Sequence, residues 1–300
     1  MSLDMFDLIL REMTSVGITT MCLTGGEPAL HPALKEVCNL LVDYKVQFSL
    51  VSNAFFFEEK ILPLFNENVR KCLTGVCFSL DGATADSHDM IRKEGSFDRV
   101  IRAINACVKE RIPVSVKSIV HGENRNDLVD VAHLCASLGV TNLGFVLLTP
   151  TPRLVSKNLM PTADEYMEVI RFITGKIMPA FGMAINLEGY AHPDYKVPFC
   201  NPAHGISIDH LGNFIFCCNL SHPTNGDSPS IFGKEYLGNI QEIGIEEGIL
   251  RHYKTMAWFM DRVMHSDEQI DWPVNCTKCL RLFGKLKWME KDESADNRYR

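Results

Sequence analysis

The sequence predicts an α/β fold with parallel strands, followed by a smaller, loop-rich C-terminal module. Three observations carry that expectation. Short β-rich runs alternate with longer segments of helical spacing through roughly the first 180 residues. The first three runs end at Thr24, Ser52 and Leu80, 28 residues apart each time, which is the length of one strand–helix unit. With 46% hydrophobic and 22% charged residues in a chain of 300, there is material for one large core and a second, smaller module. Strands alternating with helices imply a parallel sheet, either open or curled into a barrel.

Strands are expected at residues 18–24, 46–52, 76–80, 114–120 and 143–148, where β-branched and aromatic residues concentrate. Helical spacing fills segments such as 97–109 and 128–138. In the first of these, Phe97, Val100, Ile101, Ile104 and Val108 share a face that Arg99, Arg102 and Lys109 largely avoid. Thr162 followed by Glu165 reads as a capping box opening a helix towards residue 178. Beyond about residue 185 the texture changes. Pro193, Pro198, Pro202 and Pro223 and a Gly/Asn/Ser-rich stretch at 224–230 mark loops. Residues 205–218 alternate and turn like a β-hairpin, and 246–263 are helical again. The expected division is residues 1–185 and 186–300.

A net charge of −7 argues against a broad basic surface, so nucleic acid is not an expected partner. No run approaches the roughly 20 apolar residues of a membrane span, and residues 1–10 lack the basic-then-apolar pattern of a secretory signal. A cytoplasmic protein without membrane partners is expected. The eleven cysteines are many for such a protein, and an odd number does not suit a complete disulfide framework.

In a parallel α/β fold, ligands bind where the C-terminal ends of the strands open into loops. The first such loop reads Gly25-Gly26-Glu27-Pro28: the glycines expose main-chain groups, Glu27 offers a carboxylate to an ammonium, and Pro28 stiffens the exit. Ser52 and Asn53 close the second strand, and Ser79-Leu80-Asp81-Gly82 the third. Arg92, shortly after, brings a guanidinium able to hold a carboxylate. Together these groups fit a zwitterionic, amino-acid-like ligand. Taken singly, the loop could be a tight turn and Arg92 a solvated charge.

A second group lies in the C-terminal module. Cys276 and Cys279 form a CxxC pair that puts two thiols on one turn, with Cys200 before the hairpin and Cys217 and Cys218 at its end. Four converging thiolates would let a metal substitute for a small apolar core, and by chemistry alone they suit zinc as well as an iron–sulfur cluster. Cys22, Cys38, Cys72, Cys77, Cys107 and Cys135 sit in apolar runs and are expected to pack as small hydrophobes. The ten histidines show no metal-ligand spacing.

The order Gly25-Gly26-Glu27-Pro28, Ser52-Asn53, Ser79-Leu80-Asp81-Gly82, His88-Asp89-Met90-Ile91-Arg92 and Gly95-Ser96-Phe97 closely resembles the radical S-adenosylmethionine (SAM) enzymes, over residues 1 to about 180. The resemblance implies a partial (βα)6 TIM-like barrel. It implies that Gly25, Gly26 and Glu27 hold the methionine amino end of SAM, and that Ser79 and Arg92 meet its carboxylate and ribose. Asn53 matches a polar position at the end of the family's third barrel strand. Cys200, the 208–212 turn, Cys217-Cys218, Leu237-Gly238-Asn239-Ile240 and the CxxC resemble the SPASM/twitch modules that bind auxiliary 4Fe–4S clusters. No cysteine follows Cys279, which implies one auxiliary cluster, with either Cys217 or Cys218 as a ligand.

The sequence departs from the family in one respect: it contains no CxxxCxxC, the motif whose three thiolates hold the SAM-binding 4Fe–4S cluster. The expectation is therefore a radical SAM/SPASM-type oxidoreductase or maturase, acting on a peptide or small molecule by 5′-deoxyadenosyl radical hydrogen abstraction. A flavodoxin or ferredoxin would serve as its electron donor. As given, the chain is expected to lack the first barrel strand and its cluster loop through N-terminal truncation, and to be inactive unless an upstream segment supplies those cysteines. The alternative is a non-catalytic iron–sulfur- or zinc-binding scaffold that binds a partner.

Overall fold

The computed structural model describes residues 1–122, 124–156, 159–190, 205–220, 233–265 and 274–289. They pack into two compact units. One comprises Phe6–Val146 and Arg171–Glu188; the other comprises Met1–Met5, Leu147–Ile170 and Gly189–Arg300.

The first unit is a partial barrel. Six strands, β1 (Thr20–Leu23), β2 (Gln47–Ser52), β3 (Leu73–Ser79), β4 (Val114–Val120), β5 (Asn142–Leu147) and β6 (Ala184–Glu188), lie side by side in chain order. The pairings β1–β2, β2–β3, β3–β4 and β5–β6 are parallel. Helix α1 (Leu3–Ser15) precedes them, and between them run α2 (Leu34–Asp43), α3 (Glu67–Cys72), α4 (Ala85–Asp89), α5 (Ser96–Lys109) and α6 (Leu128–Ser137). Strand periodicity sets the layers. Phe48 and Leu50 of β2, Phe78 of β3 and Val116 of β4 are buried away from an open cavity that the alternate residues Ser49, Val51, Ser115 and Lys117 line.

Helix α5 packs on β3 and β4 through Val100, Ala103, Ile104 and Cys107. The face is rotated from the sequence pattern, since Val108 is left exposed. Two further differences appear. The alternating Ala184–Glu188 segment forms a sixth strand that the sequence pattern did not single out, because Asn186 and Glu188 dilute its apolar signal. Cys22 is exposed rather than packed, whereas Cys38, Cys72, Cys77, Cys107 and Cys135 are buried as expected. Strand β1 is only four residues long and presents Cys22 on the side of the cavity. Burial alone pushes the thiol of Cys38 up to about 11 and that of Cys135 up to about 12, which makes both inert at neutral pH.

The second unit carries α7 (Pro152–Ser156), most of α8 (Ala163–Phe172), and a three-stranded antiparallel sheet of β7 (Ser207–Ile208), β8 (Asn213–Ile215) and β9 (Tyr236–Asn239). The capping box at α8 forms: Thr162 Oγ1 accepts the Glu165 N–H at 3.3 Å, and Glu165 Oε2 accepts the Thr162 N–H at 2.8 Å. Asp209 shapes the hairpin turn by accepting the N–H groups of Leu211 and Asn213 at 2.8 and 2.9 Å. Helices α9 (Ile240–His265) and α10 (Asn275–Leu282) complete the unit, with α9 broken at Gly244 by a φ of 68°. Phe216 stacks on Phe283 at 5.4 Å, and the buried Lys285–Glu235 pair neutralises two charges that would otherwise be stranded in the interior. Among the described residues, no helix is long and apolar enough to cross a membrane.

Candidate functional site

The rim residues singled out from the sequence gather at the C-terminal ends of β1, β2 and β3. Gly25 has a φ of 141°, a conformation that side chains disfavour, and a Cβ at Gly25 or Gly26 would meet no atom within 4 Å. Glycine here serves backbone conformation and leaves open space in front of the main chain. Glu27 then caps the short helical turn Pro28–Leu30. Its Oε1 accepts from Ser52 Oγ at 2.8 Å and from the Ala29 N–H at 3.3 Å, and its Oε2 accepts the Asn53 N–H at 2.7 Å. One carboxylate thus ties the first loop to the second. Asn53 Oδ1 is turned back on its own chain, accepting the Phe55 N–H at 2.9 Å, beside Ala54 with a φ of 64°.

At the third loop the roles divide. Ser79 is half-buried at the end of β3, in register with Lys117. Asp81 has no exposed surface; its carboxylate accepts Arg92 Nε–H at 2.5 Å and the Ile119 N–H at 3.0 Å. Asp81 therefore anchors Arg92, and Arg92, with 30% of its side chain exposed, is the member of the pair that a ligand can reach. Two residues to which the sequence assigned no role, His88 of the quoted motif and Asn124, complete this anchor. His88 Nδ1 accepts the Asp81 N–H at 3.0 Å, which fixes its proton on Nε2, and burial pushes its pKa below the usual histidine value. Asn124 Nδ2 donates to the carbonyls of Asp81 and Ile119 at 3.0 and 2.7 Å. Asn124 lies 43 residues from Asp81, so no local signal could have found it.

Asp89, in the same loop, accepts the Gly95 and Phe97 N–H groups at 2.6 and 2.8 Å and Ser96 Oγ–H at 2.9 Å, at the start of α5. Partial burial opposes its charge, but the three hydrogen bonds outweigh it and hold the carboxyl below its ordinary value.

In the second unit, Cys217 is buried and Cys218 exposed at the end of the hairpin, while Cys276 and Cys279 are half-buried on α10. The segments meet: Asn219 Nδ2 donates to Cys276 Sγ at 3.6 Å, and Cys217 lies within electrostatic reach of Cys279. The Cys217 thiol is pushed well above its ordinary value by its hydrogen bond with Cys218 and by burial. Among the described residues, no three His, Cys, Asp or Glu side chains are arranged to hold a metal ion. Cys200 lies outside the described residues. The donor chemistry, soft thiols from a hairpin end and one helical turn, fits an iron–sulfur cluster or zinc.

Residues 1–135 match the model of the Radical SAM superfamily. The chain is 24% identical over 200 residues to the GTP 3′,8-cyclase of Clostridium perfringens, covering 63% of this chain and 60% of that protein. It is 28% identical over 172 residues to the mycofactocin maturase MftC of Mycobacterium tuberculosis, covering 56% of this chain and 43% of that protein. The chain therefore spans less than two thirds of either relative. In fold it is similar to anSMEcpe with bound AdoMet and Cp18Cys peptide, with a TM-score of 0.62 at 15% identity over 99% of this chain and 92% of that one. The match to the Radical SAM superfamily thus lies in the first 135 residues, and the likeness to the solved structure, at 15% identity, is one of fold.

Proposed function

We propose that this protein is a radical SAM/SPASM-type enzyme, an oxidoreductase or maturase that modifies a peptide or small molecule. Residues 1–185 form its SAM-binding barrel and 186–300 its auxiliary-cluster module, with the cytoplasm as its location. The observation that carries the reading is the tie from Glu27 to Ser52 and Asn53 beside the open backbone of Gly25 and Gly26. Main-chain groups of Gly25 and Gly26 meet the amino end of the cofactor, Glu27 holds its ammonium, and Ser79 and the Asp81-anchored Arg92 meet the carboxylate and ribose. SAM bound to a reduced 4Fe–4S cluster supplies a hydrogen-abstracting radical. The sequence holds no CxxxCxxC, so this polypeptide is not expected to cleave SAM by itself.

One auxiliary 4Fe–4S cluster is assigned to Cys276, Cys279, Cys200 and one of Cys217 and Cys218, with a flavodoxin or ferredoxin as electron donor. Peptide substrates are supported by the maturase named above and by the peptide in the anSMEcpe structure. Anaerobic reconstitution with iron and sulfide tests the cluster. Iron and sulfide are expected at about four each per chain, and Cys276→Ala or Cys279→Ala is expected to abolish uptake. Retention of zinc with no uptake of iron would overturn the cluster and favour the second reading, a metal-binding scaffold, for which the absent CxxxCxxC is the argument.

A further inference from the structure

The inner face of the barrel holds an ion pair that the rim does not use. Lys117 on β4 reaches past β5 to Glu188 on β6, with Nζ and Oε2 3.0 Å apart. The crossing depends on Gly144 of β5. A Cβ there would lie 2.8 Å from Asn186 Oδ1 and 3.1 Å from Glu188 Oε1, so any side chain at 144 would enter the space of the polar groups facing it. A cavity of about 330 Å³ opens beside the pair, at the lower end of the range for small-molecule sites. Cys22, Ser49, Thr74, Cys77, Ser115 and Lys117 contribute to its lining. Among the described residues that line it, Lys117 alone carries a charge. Its side chain is 48% exposed, and an ammonium has three N–H donors, of which Glu188 takes one.

The groups facing Lys117 are Glu188, Cys77 and Cys22. Burial alone would lower its pKa, but the Glu188 carboxylate outweighs burial and raises it, so Lys117 stays cationic through the neutral range. Glu188 already balances the Lys117 charge, so the complementarity to a carboxylate lies in the two N–H donors left on Nζ, beside a lining that adds hydroxyls and thiols to the apolar Val51, Val76 and Val114.

We propose that the barrel interior is a small-ligand site in which Lys117 receives a carboxylate and Glu188 acts as a positioning residue, holding Nζ across Gly144. As a statement about the substrate, that it is a carboxylic acid, this rests on the enzymatic reading above. As a statement about binding it does not, and the test uses neither SAM nor cluster.

Cys22 lines the same cavity and is exposed, which makes its alkylation a local reporter. The full chain is treated with iodoacetamide, and the peptide containing Cys22 is followed by mass spectrometry with added butyrate or its neutral isostere butyramide. Butyrate is expected to slow alkylation of Cys22 and butyramide not to. Lys117→Gln should raise the half-protecting concentration of butyrate about tenfold or more, the loss expected for one charge-assisted hydrogen bond. It should also reduce the rate of anionic iodoacetate at Cys22 relative to neutral iodoacetamide, a change that a merely structural Lys117 would not produce. Glu188→Gln should leave protection present but weaker. A tripeptide with a central glutamate separates the two sources of a carboxylate: protection by it assigns a peptide side chain, and protection by butyrate alone assigns a free acid. Equal protection by butyrate and butyramide, protection by neither carboxylate, protection that survives Lys117→Gln, or no alkylation of Cys22 at all would each overturn the proposal.

Discussion

Arg92 and Asp81 form a one-sided pair: the carboxylate is wholly buried, the guanidinium is partly in solvent, and Nε meets Oδ2 at 2.5 Å. A buried charge that loses its partner costs far more than the pair contributes. Arg92→Ala should therefore destabilise the fold by about 3 kcal/mol, while the double variant Arg92→Ala with Asp81→Ala should recover part of that loss. Urea denaturation at neutral pH checks both. A single-variant loss under about 1 kcal/mol would show that Asp81 is adequately held by the Ile119 N–H without Arg92.

Asp89 makes a pH-dependent contribution. Its folded-state value lies below the ordinary 3.8, so its stabilisation is complete above that value and is lost as pH falls through the folded value. Asp89→Asn keeps one acceptor oxygen for groups that now use two, and should cost about 1 kcal/mol at pH 7. The gap between variant and wild type should close below about pH 4. A gap that stays constant down to pH 3 would exclude the carboxylate charge as its origin.

Gly144→Ala tests the crossing on the inner face. With Asn186 Oδ1 at 2.8 Å, the added methyl must displace that amide or the Glu188 carboxylate, at about 1–3 kcal/mol. Asn186→Ala should relieve much of the cost in the double variant, giving the non-additivity expected of touching residues. Strict additivity in thermal melts would mean that the methyl is accommodated elsewhere.

A similar argument applies in the C-terminal unit at Gly248, where a Cβ would lie 2.5 Å from the Phe214 ring. That ring is fully buried, so it has little room to yield. Gly248→Ala should cost about 1–3 kcal/mol or more, with Phe214→Leu as the rescuing change. Unchanged stability would indicate that α9 shifts along β8 without penalty.

The features that were legible in the sequence share one property: the interacting groups lie a few residues apart. The Thr162–Glu165 box and the Asp209–Asn213 turn each span three or four positions, and both form. The parallel sheet followed from strands alternating with helices, with the unit length repeated over the first three. What was hidden depends on contacts across the fold. Lys117 and Glu188 are 71 residues apart, and Asp81 finds Ile119 38 residues away. Strand β6 was obscured because two of its five residues, Asn186 and Glu188, are polar groups on the barrel's inner face. Cys22 misled for the opposite reason, since an apolar neighbourhood in sequence, with Met21 and Leu23 beside it, does not reveal which side of a short strand is covered.

The Glu27 carboxylate makes the first two rim loops thermodynamically inseparable. Its oxygens are already engaged by Ser52, Ala29 and the Asn53 N–H, so a cation arriving at Glu27 competes with the donors that order the Asn53–Ala54 turn. Occupancy at one loop is thereby written into the conformational free energy of its neighbour, and a change that loosens the second loop is felt in the affinity at the first.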